Sequence, residues 1–149
     1  MGVKSEKTQS GRHLLDTSIC IHLLRSNENV IQKFKERGLS SCSITDLTIF
    51  ELYYGAEINK DAGRGDKEYK KVEELIDRID IISVSPYMKE IASEKMRLRK
   101  QGVPLEDFVD LAIACTAVQN DMTMVTDNIR HFRRVQGIRL ENWVEKADR

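Results

Sequence analysis

The chain has little of what usually announces a specialised architecture. Two prolines and eight glycines in 149 residues are too few for a collagen-like or Pro/Gly-rich disordered chain, and no repeat or low-complexity stretch is present. The three cysteines, Cys20, Cys42 and Cys115, lie in apolar runs without paired spacing. They read as buried, reduced thiols rather than a disulfide framework or a zinc site, which suits a cytoplasmic protein. No run approaches the roughly 18 apolar residues of a membrane span, and Lys4, Lys7 and Arg12 have no apolar segment behind them. A protein neither exported nor anchored is expected, with residues 1–12 as a disordered leader. Net charge is missing too: 24 basic residues balance 24 acidic ones. That excludes a nucleic-acid coat protein relying on bulk positive charge, so any such contact must come from local patches.

What is present is a single-domain length, enough to bury about 68–70% of the unfolded surface, and a regular alternation of apolar runs with helical patterns. Strands are expected near His13–Leu15, Leu39–Ile44, Ile81–Val84, Met122–Thr126 and, weakly, Gly137–Leu140. Between them, Thr17 or Ser18 can cap one helix and Asn27 or Asn29 another, with Gly38 past its end. Thr45 or Asp46 can start a third. Tyr69, Val72, Leu75, Ile76 and Ile79 form an amphipathic stripe, and Pro86 opens a helix that stops at Gly102. Residues 60–67 read as a flexible loop. Strands separated by helices predict an α/β fold with a parallel sheet and right-handed crossovers.

Four acids stand inside apolar segments, where a carboxylate is costly unless neutralised or held by a cation. Asp16 ends the first strand in His-Leu-Leu-Asp-Thr-Ser, and Glu51 is flanked by Phe50 and Leu52. Asp110 follows Asp107 at i,i+3 on one face of a small-residue helix, and Asp127 ends the Met-Val-Thr-Asp run. Two of the four thus lie just past the carboxyl ends of predicted strands, where open α/β sheets place their ligands. Carboxylates gathered without compensating charge should bind a hard divalent cation by oxygen ligation. His13, His22 and His131 are scattered, so Mg²⁺ or Mn²⁺ is expected rather than zinc.

Leu-Leu-Asp-Thr-Ser, Phe-Glu-Leu-Tyr-Tyr-Gly-Ala, Asp-Phe-Val-Asp-Leu-Ala-Ile-Ala-Cys-Thr-Ala and Met-Val-Thr-Asp-Asn-Ile-Arg-His-Phe, followed by Gly-Ile-Arg-Leu-Glu-Asn-Trp, occur in order from His13 to Trp143. In this they resemble a PIN domain of the VapC-type toxin branch. The resemblance implies one PIN domain over 13–145 with sheet order 3-2-1-4-5, which would gather Asp16, Glu51, Asp110 and Asp127 in one cleft. It implies a metal-dependent endoribonuclease leaving a 5′-phosphate and a 3′-hydroxyl, a VapB-type antitoxin partner, and a homodimer.

Within that frame Asp16 is expected as the central ligand, near the amides and hydroxyls of Thr17 and Ser18. Glu51 would hold the metal directly or through water, Asp110 would ligate it or position the water, and Asp127 would complete the set. Asp107 is either a rim acid or a charge favoured by the helix N-terminus. Thr126 and Asn128 either hydrogen-bond a ligand or serve a strand-ending turn. Of two basic patches, Lys95, Arg97, Arg99 and Lys100 read equally as a solvated helix face or an RNA contact. Arg130, His131, Arg133 and Arg134, beside Asp127, read as phosphate contacts. Phe50, Leu52, Tyr53 and Tyr54 read as core; some could instead line a groove for an amphipathic antitoxin helix. A PIN nuclease that processes RNA without a toxin role, and a catalytically silent PIN-like binding module, are the other readings.

Overall fold

A computed structural model describes residues 11–145 of the chain. Five strands, β1 (His13–Leu15), β2 (Cys42–Thr45), β3 (Asp80–Ile82), β4 (Thr123–Val125) and β5 (Leu140–Glu141), form one sheet in the order β3-β2-β1-β4-β5. Every pairing is parallel. The helices between them are α1 (Thr17–Leu24), α2 (Glu28–Arg37), α3 (Asp46–Lys60), α4 (Gly65–Arg78), α5 (Met88–Lys100), α6 (Phe108–Gln119) and α7 (Ile129–Phe132). Residues 1–10 of the expected leader lie outside the described residues; the Arg12 carbonyl already accepts from Thr123 N–H at 3.0 Å.

The period of two in a strand divides the core in half. Leu14 and Met124 face one side of the sheet, with Val84, Ile91, Leu98, Leu111 and Phe132. Leu15 and Val125 face the other, with Ile19, Cys20, Val30, Ile44, Leu52, Val72, Leu75 and Trp143. The result is an α/β/α sandwich with β1 and β4 at its centre. Helix α6 is buried from Leu111 to Ala117, because Ala112, Ala114, Cys115 and Ala117 let it press against both sheet and helices. All three cysteines are free, buried thiols. Among the described residues no helix is long and apolar enough to cross a membrane.

Several boundaries differ from the sequence expectation. Leu39–Ser41 is a 3₁₀ turn after Gly38, whose φ of 89° turns the chain so that β2 starts only at Cys42. Ile81–Val84 shifts to Asp80–Ile82, and Pro86 sits in a 3₁₀ turn (Ser85–Tyr87) ahead of α5. The fifth strand starts at Leu140 rather than Gly137. The 60–67 loop contracts to four residues, because α3 runs to Lys60 and α4 begins at Gly65. Gly65 is required by close approach: a Cβ there would lie 2.4 Å from Lys60 Cγ and 2.8 Å from Lys60 Cα. Asn27 caps α2, while Asn29 donates instead to the Val144 carbonyl. Thr45 caps α3 by accepting from Thr48 N–H. At the far edge Glu141 anchors β5. The adjacent His13 imidazole (3.7 Å), then the Trp143 indole N–H (2.9 Å) and Arg37 (3.4 Å), hold its carboxyl down to about 2.

Two glycines of the α3–α4 hairpin should respond with opposite sign. Gly55→Ala, mid-helix with nothing near the new Cβ, should stabilise by about 0.5–1 kcal/mol. Gly65→Ala should destabilise by about 1–3 kcal/mol through overpacking. Urea unfolding of the two variants measures both.

Candidate functional site

Asp16 is placed by two elements at once. It follows the last residue of β1, where its own N–H donates to Val125 O on β4, and it is the N-cap of α1, a position the sequence had suggested for Thr17 or Ser18. Its Oδ1 accepts from Thr17 N–H (2.8 Å). Its Oδ2 accepts from the hydroxyls of Ser18 (3.1 Å) and Thr126 (2.9 Å). The side chain is buried, and burial pushes its carboxyl from the ordinary range up to about 6, the Thr126 bond opposing and the charge of Asp110 adding. Three hydrogen bonds therefore fail to offset the cost of burying this charge among like charges.

The other acids converge on it from two helices. Glu51, half-buried on α3, accepts a short hydrogen bond from the Thr17 hydroxyl, which also lies 3.0 Å from Thr48 Oγ1. Burial raises its carboxyl, the Thr17 bond lowers it, and Asp107 and Asp16 raise it further. Asp110, in the first turn of α6, is raised by burial and by Asp107, and lowered by His131, whose Nε2 lies 3.1 Å from its Oδ2. Asp107 caps α6 by accepting from Asp110 N–H at 3.0 Å, so the two roles left open for it coincide: it holds the helix start and its charge is felt by Glu51 and Asp110.

Asp127 stands apart. It is exposed, its Oδ2 lies 3.0 Å from His22 Nε2 on α1, and its charge is not among those that perturb the other three. Thr126, beside it, is the residue that reaches Asp16; its Oγ1 also accepts from Asn128 N–H at 3.1 Å, so this turn serves both fold and site. Of the three histidines that look scattered in sequence, two thus meet acids of this region. Sequence spacing gave no signal for His22 or His131, since the pairs span 105 and 21 residues. Thr48 was also missed, although its place one helical turn before Glu51 was a signal that could have found it.

The basic patches separate. Lys95 pairs with Glu106, and Arg97 with Glu94 and the Arg134 carbonyl, so half of the first patch is structural. Arg134 donates to the carbonyls of Val103 (3.3 Å) and Pro104 (2.6 Å), strapping down the chain ahead of α6. Arg130 and Arg133 are exposed beside the cleft. The core reading of α3 holds for Leu52, and for Tyr53 against Tyr69. It fails for Phe50 and Tyr54, which are 64% and 58% exposed and stack on each other at 6.0 Å.

Chemically the acids form an all-oxygen donor set whose carboxyls are raised first by burial and further by neighbouring acids. A hard divalent cation such as Mg²⁺ or Mn²⁺ fits these residues. It is not a closed cage: among the described residues no three His, Cys, Asp or Glu side chains stand close enough to hold an ion as they lie.

The raised Asp16 carboxyl has a definite consequence for stability. Between the unfolded value near 3.8 and the folded value of about 6, the folded state holds the extra proton, so stability is lost as pH rises through that window. In chelator, Asp16→Asn should therefore match the wild type near pH 4 and exceed it at pH 7, by up to roughly 3 kcal/mol. Thermal melts at both pH values test this.

Comparison with known proteins places this geometry. A family model described as "PIN domain" matches residues 13–138. The chain is 29% identical over 135 residues to Ribonuclease VapC2 of Haemophilus influenzae, covering 89% of this chain and 98% of that one. It is 29% identical over 136 residues to the tRNA(fMet)-specific endonuclease VapC of Shigella flexneri, with the same coverage. Among solved structures, DNA-bound VapBC from Salmonella typhimurium superposes with a TM-score of 0.75 at 28% identity, over 89% of this chain and 98% of the other. VapBC2 of Rickettsia felis, at 24% identity and a TM-score of 0.77, shares the fold. The sheet order, the acids gathered at the carboxyl ends of its central strands and the match over 13–138 all agree: this chain belongs to the PIN-domain family.

Proposed function

We propose that the protein is a VapC-type endoribonuclease that requires Mg²⁺ or Mn²⁺ and acts as the toxin of a toxin–antitoxin pair. The observation that carries this reading is the gathering of Asp16, Glu51 and Asp110 in one cleft, where Thr17 bonds both Asp16 and Glu51 and each carboxyl is raised by burial and further by a neighbouring acid. It is supported by relatives named VapC ribonuclease that align over nearly their whole length. Asp16, Glu51 and Asp110 would hold the cation, with Thr17, Ser18 and Thr126 keeping the Asp16 oxygens in place. When bound, the cation supplies a water acidic enough to attack phosphorus and offsets charge on the phosphoryl oxygens. Arg130 and Arg133 would grip flanking phosphates, while Arg134 stays with its loop. Asp127, paired with His22, would act from the periphery. The chemistry needs no covalent nucleophile.

A cavity of about 210 Å³ runs between α1, α3 and α4, lined by Ile21, Leu24, Leu52, Ile58 and Val72 together with Arg25, Asn59, Glu68 and the candidate ligand Glu51. It suits the apolar face of a VapB-type antitoxin segment, whose basic side chain would then meet the acids. This reading favours a toxin over a housekeeping RNA-processing nuclease. The perturbed acids argue against a silent binding module, which has no use for them. A cytoplasmic homodimer completes the proposal.

Purified protein incubated with total cellular RNA should cleave in Mg²⁺ or Mn²⁺ and stop in chelator; full activity in excess chelator would end the metal mechanism. In single-turnover cleavage of one RNA, Asp16→Asn and Asp110→Asn should each lose on the order of 100-fold or more. Asp107→Asn should lose least, because asparagine still caps α6, and Asp127→Asn should fall between. An Asp107 variant damaged most would reverse the roles of Asp107 and Asp110.

A further inference from the structure

The acids of the cleft are each held by a hydrogen bond: Asp16 by Thr17, Ser18 and Thr126, Glu51 by Thr17, Asp107 by its own helix. Asp110 differs in that its partner is an imidazole. Its Oδ2 meets His131 Nε2 at 3.1 Å, and His131 is carried on α7, where its ring lies edge-on to Phe132 with centroids 4.8 Å apart. Phe132 is only 1% exposed, so α7 is anchored in the core immediately beside the imidazole. Upstream, Thr126 Oγ1 donates to Asp16 Oδ2 and accepts from Asn128 N–H. One short turn, Thr126 to Phe132, thereby sets the orientation of two acids on two other elements.

We infer that His131 is a positioning residue for Asp110, fixing the carboxylate rotamer so that one oxygen remains presented to the cation, and that it does not itself touch RNA. This rests on the reading of the cleft as a cation site. The terminal torsion of an aspartate is broad and weakly held, and Asp110 faces the like charges of Asp107 and Glu51, which drive an unrestrained carboxylate outward to water. A ring N–H donor from a core-anchored helix opposes that drift. Such outer partners of ligand carboxylates are worth about 10–100-fold in metal affinity or activity. His22 pairs in the same manner with Asp127, but the charge of Asp127 is not among those that perturb Asp16, Glu51 or Asp110.

The test compares wild type, His131→Ala and His131→Gln, the last retaining an N–H donor. Mn²⁺ affinity is measured by calorimetry without RNA, and kcat and KM on one RNA are measured across cation concentrations. His131→Ala should bind Mn²⁺ about 10–100-fold more weakly, recover kcat to within a few-fold at saturating cation, and keep the wild-type KM for RNA. His131→Gln should restore most of the affinity. Equal Mn²⁺ affinity in wild type and His131→Ala would overturn the inference. So would a kcat deficit that persists at saturating cation, which would make His131 a group acting on substrate, or a failure of His131→Gln to rescue. A wild type that binds no Mn²⁺, or an Asp16→Asn variant that binds it equally well, would instead refute the cleft reading, and the inference would fall with it.

Discussion

The structure turns on one costly placement: the carboxylate of Asp16, buried at the carboxyl end of the central strand with other acids close by. Burial alone would favour the neutral form, and three hydrogen-bond donors do not reverse that, since the group still titrates at about 6. The surroundings make sense as ways of tolerating the charge. Hydroxyls from Thr17, Ser18 and Thr126 can rotate to serve either protonation state. The imidazole of His131 lies 3.1 Å from Asp110 and lowers its carboxyl. The small residues of α6 let Asp110 come close at a helix N-terminus, the end of the dipole that favours an anion.

The fold's larger features were legible because they follow from short-range rules. Leu14 and Leu15 alternate faces, Asn27 and Thr45 cap, and the uniform apolarity of 111–117 marks a helix buried all round. The strand order was not legible from spacing; it entered through the family resemblance, and the parallel pairings β1–β2 and β1–β4 agree with it. Two of the misplaced boundaries fall at glycines. Gly38 and Gly65 both read as loop residues, yet one turns the chain sharply through a positive φ and the other allows α4 to start against Lys60.

For the site, acids in apolar segments were visible because a charge in such a context is conspicuous. Their partners were not visible, because a histidine 105 residues away carries no periodic signal. The exposure of Phe50 and Tyr54 was hidden for a similar reason: apolar residues on a helix read as core whether they meet their own chain or a partner's. With Ile58, 59% exposed, they leave an apolar surface on α3, the helix that also lends Glu51 to the groove. The same helix thus carries a candidate ligand on one side and apolar surface on another, which would couple partner binding to the cleft by simple adjacency.

The central claim is that a cation binds at the Asp16 carboxyl and displaces the proton that burial leaves on it below about pH 6. Calorimetric titration of Mn²⁺ into the protein, repeated in buffers of different ionisation enthalpy, measures it directly through the protons released on binding. With Asp16 titrating at about 6, binding at pH 6 should release about half a proton or more, and binding at pH 8 close to none. Equal proton release at both pH values, or none at pH 6 despite binding, would contradict the account.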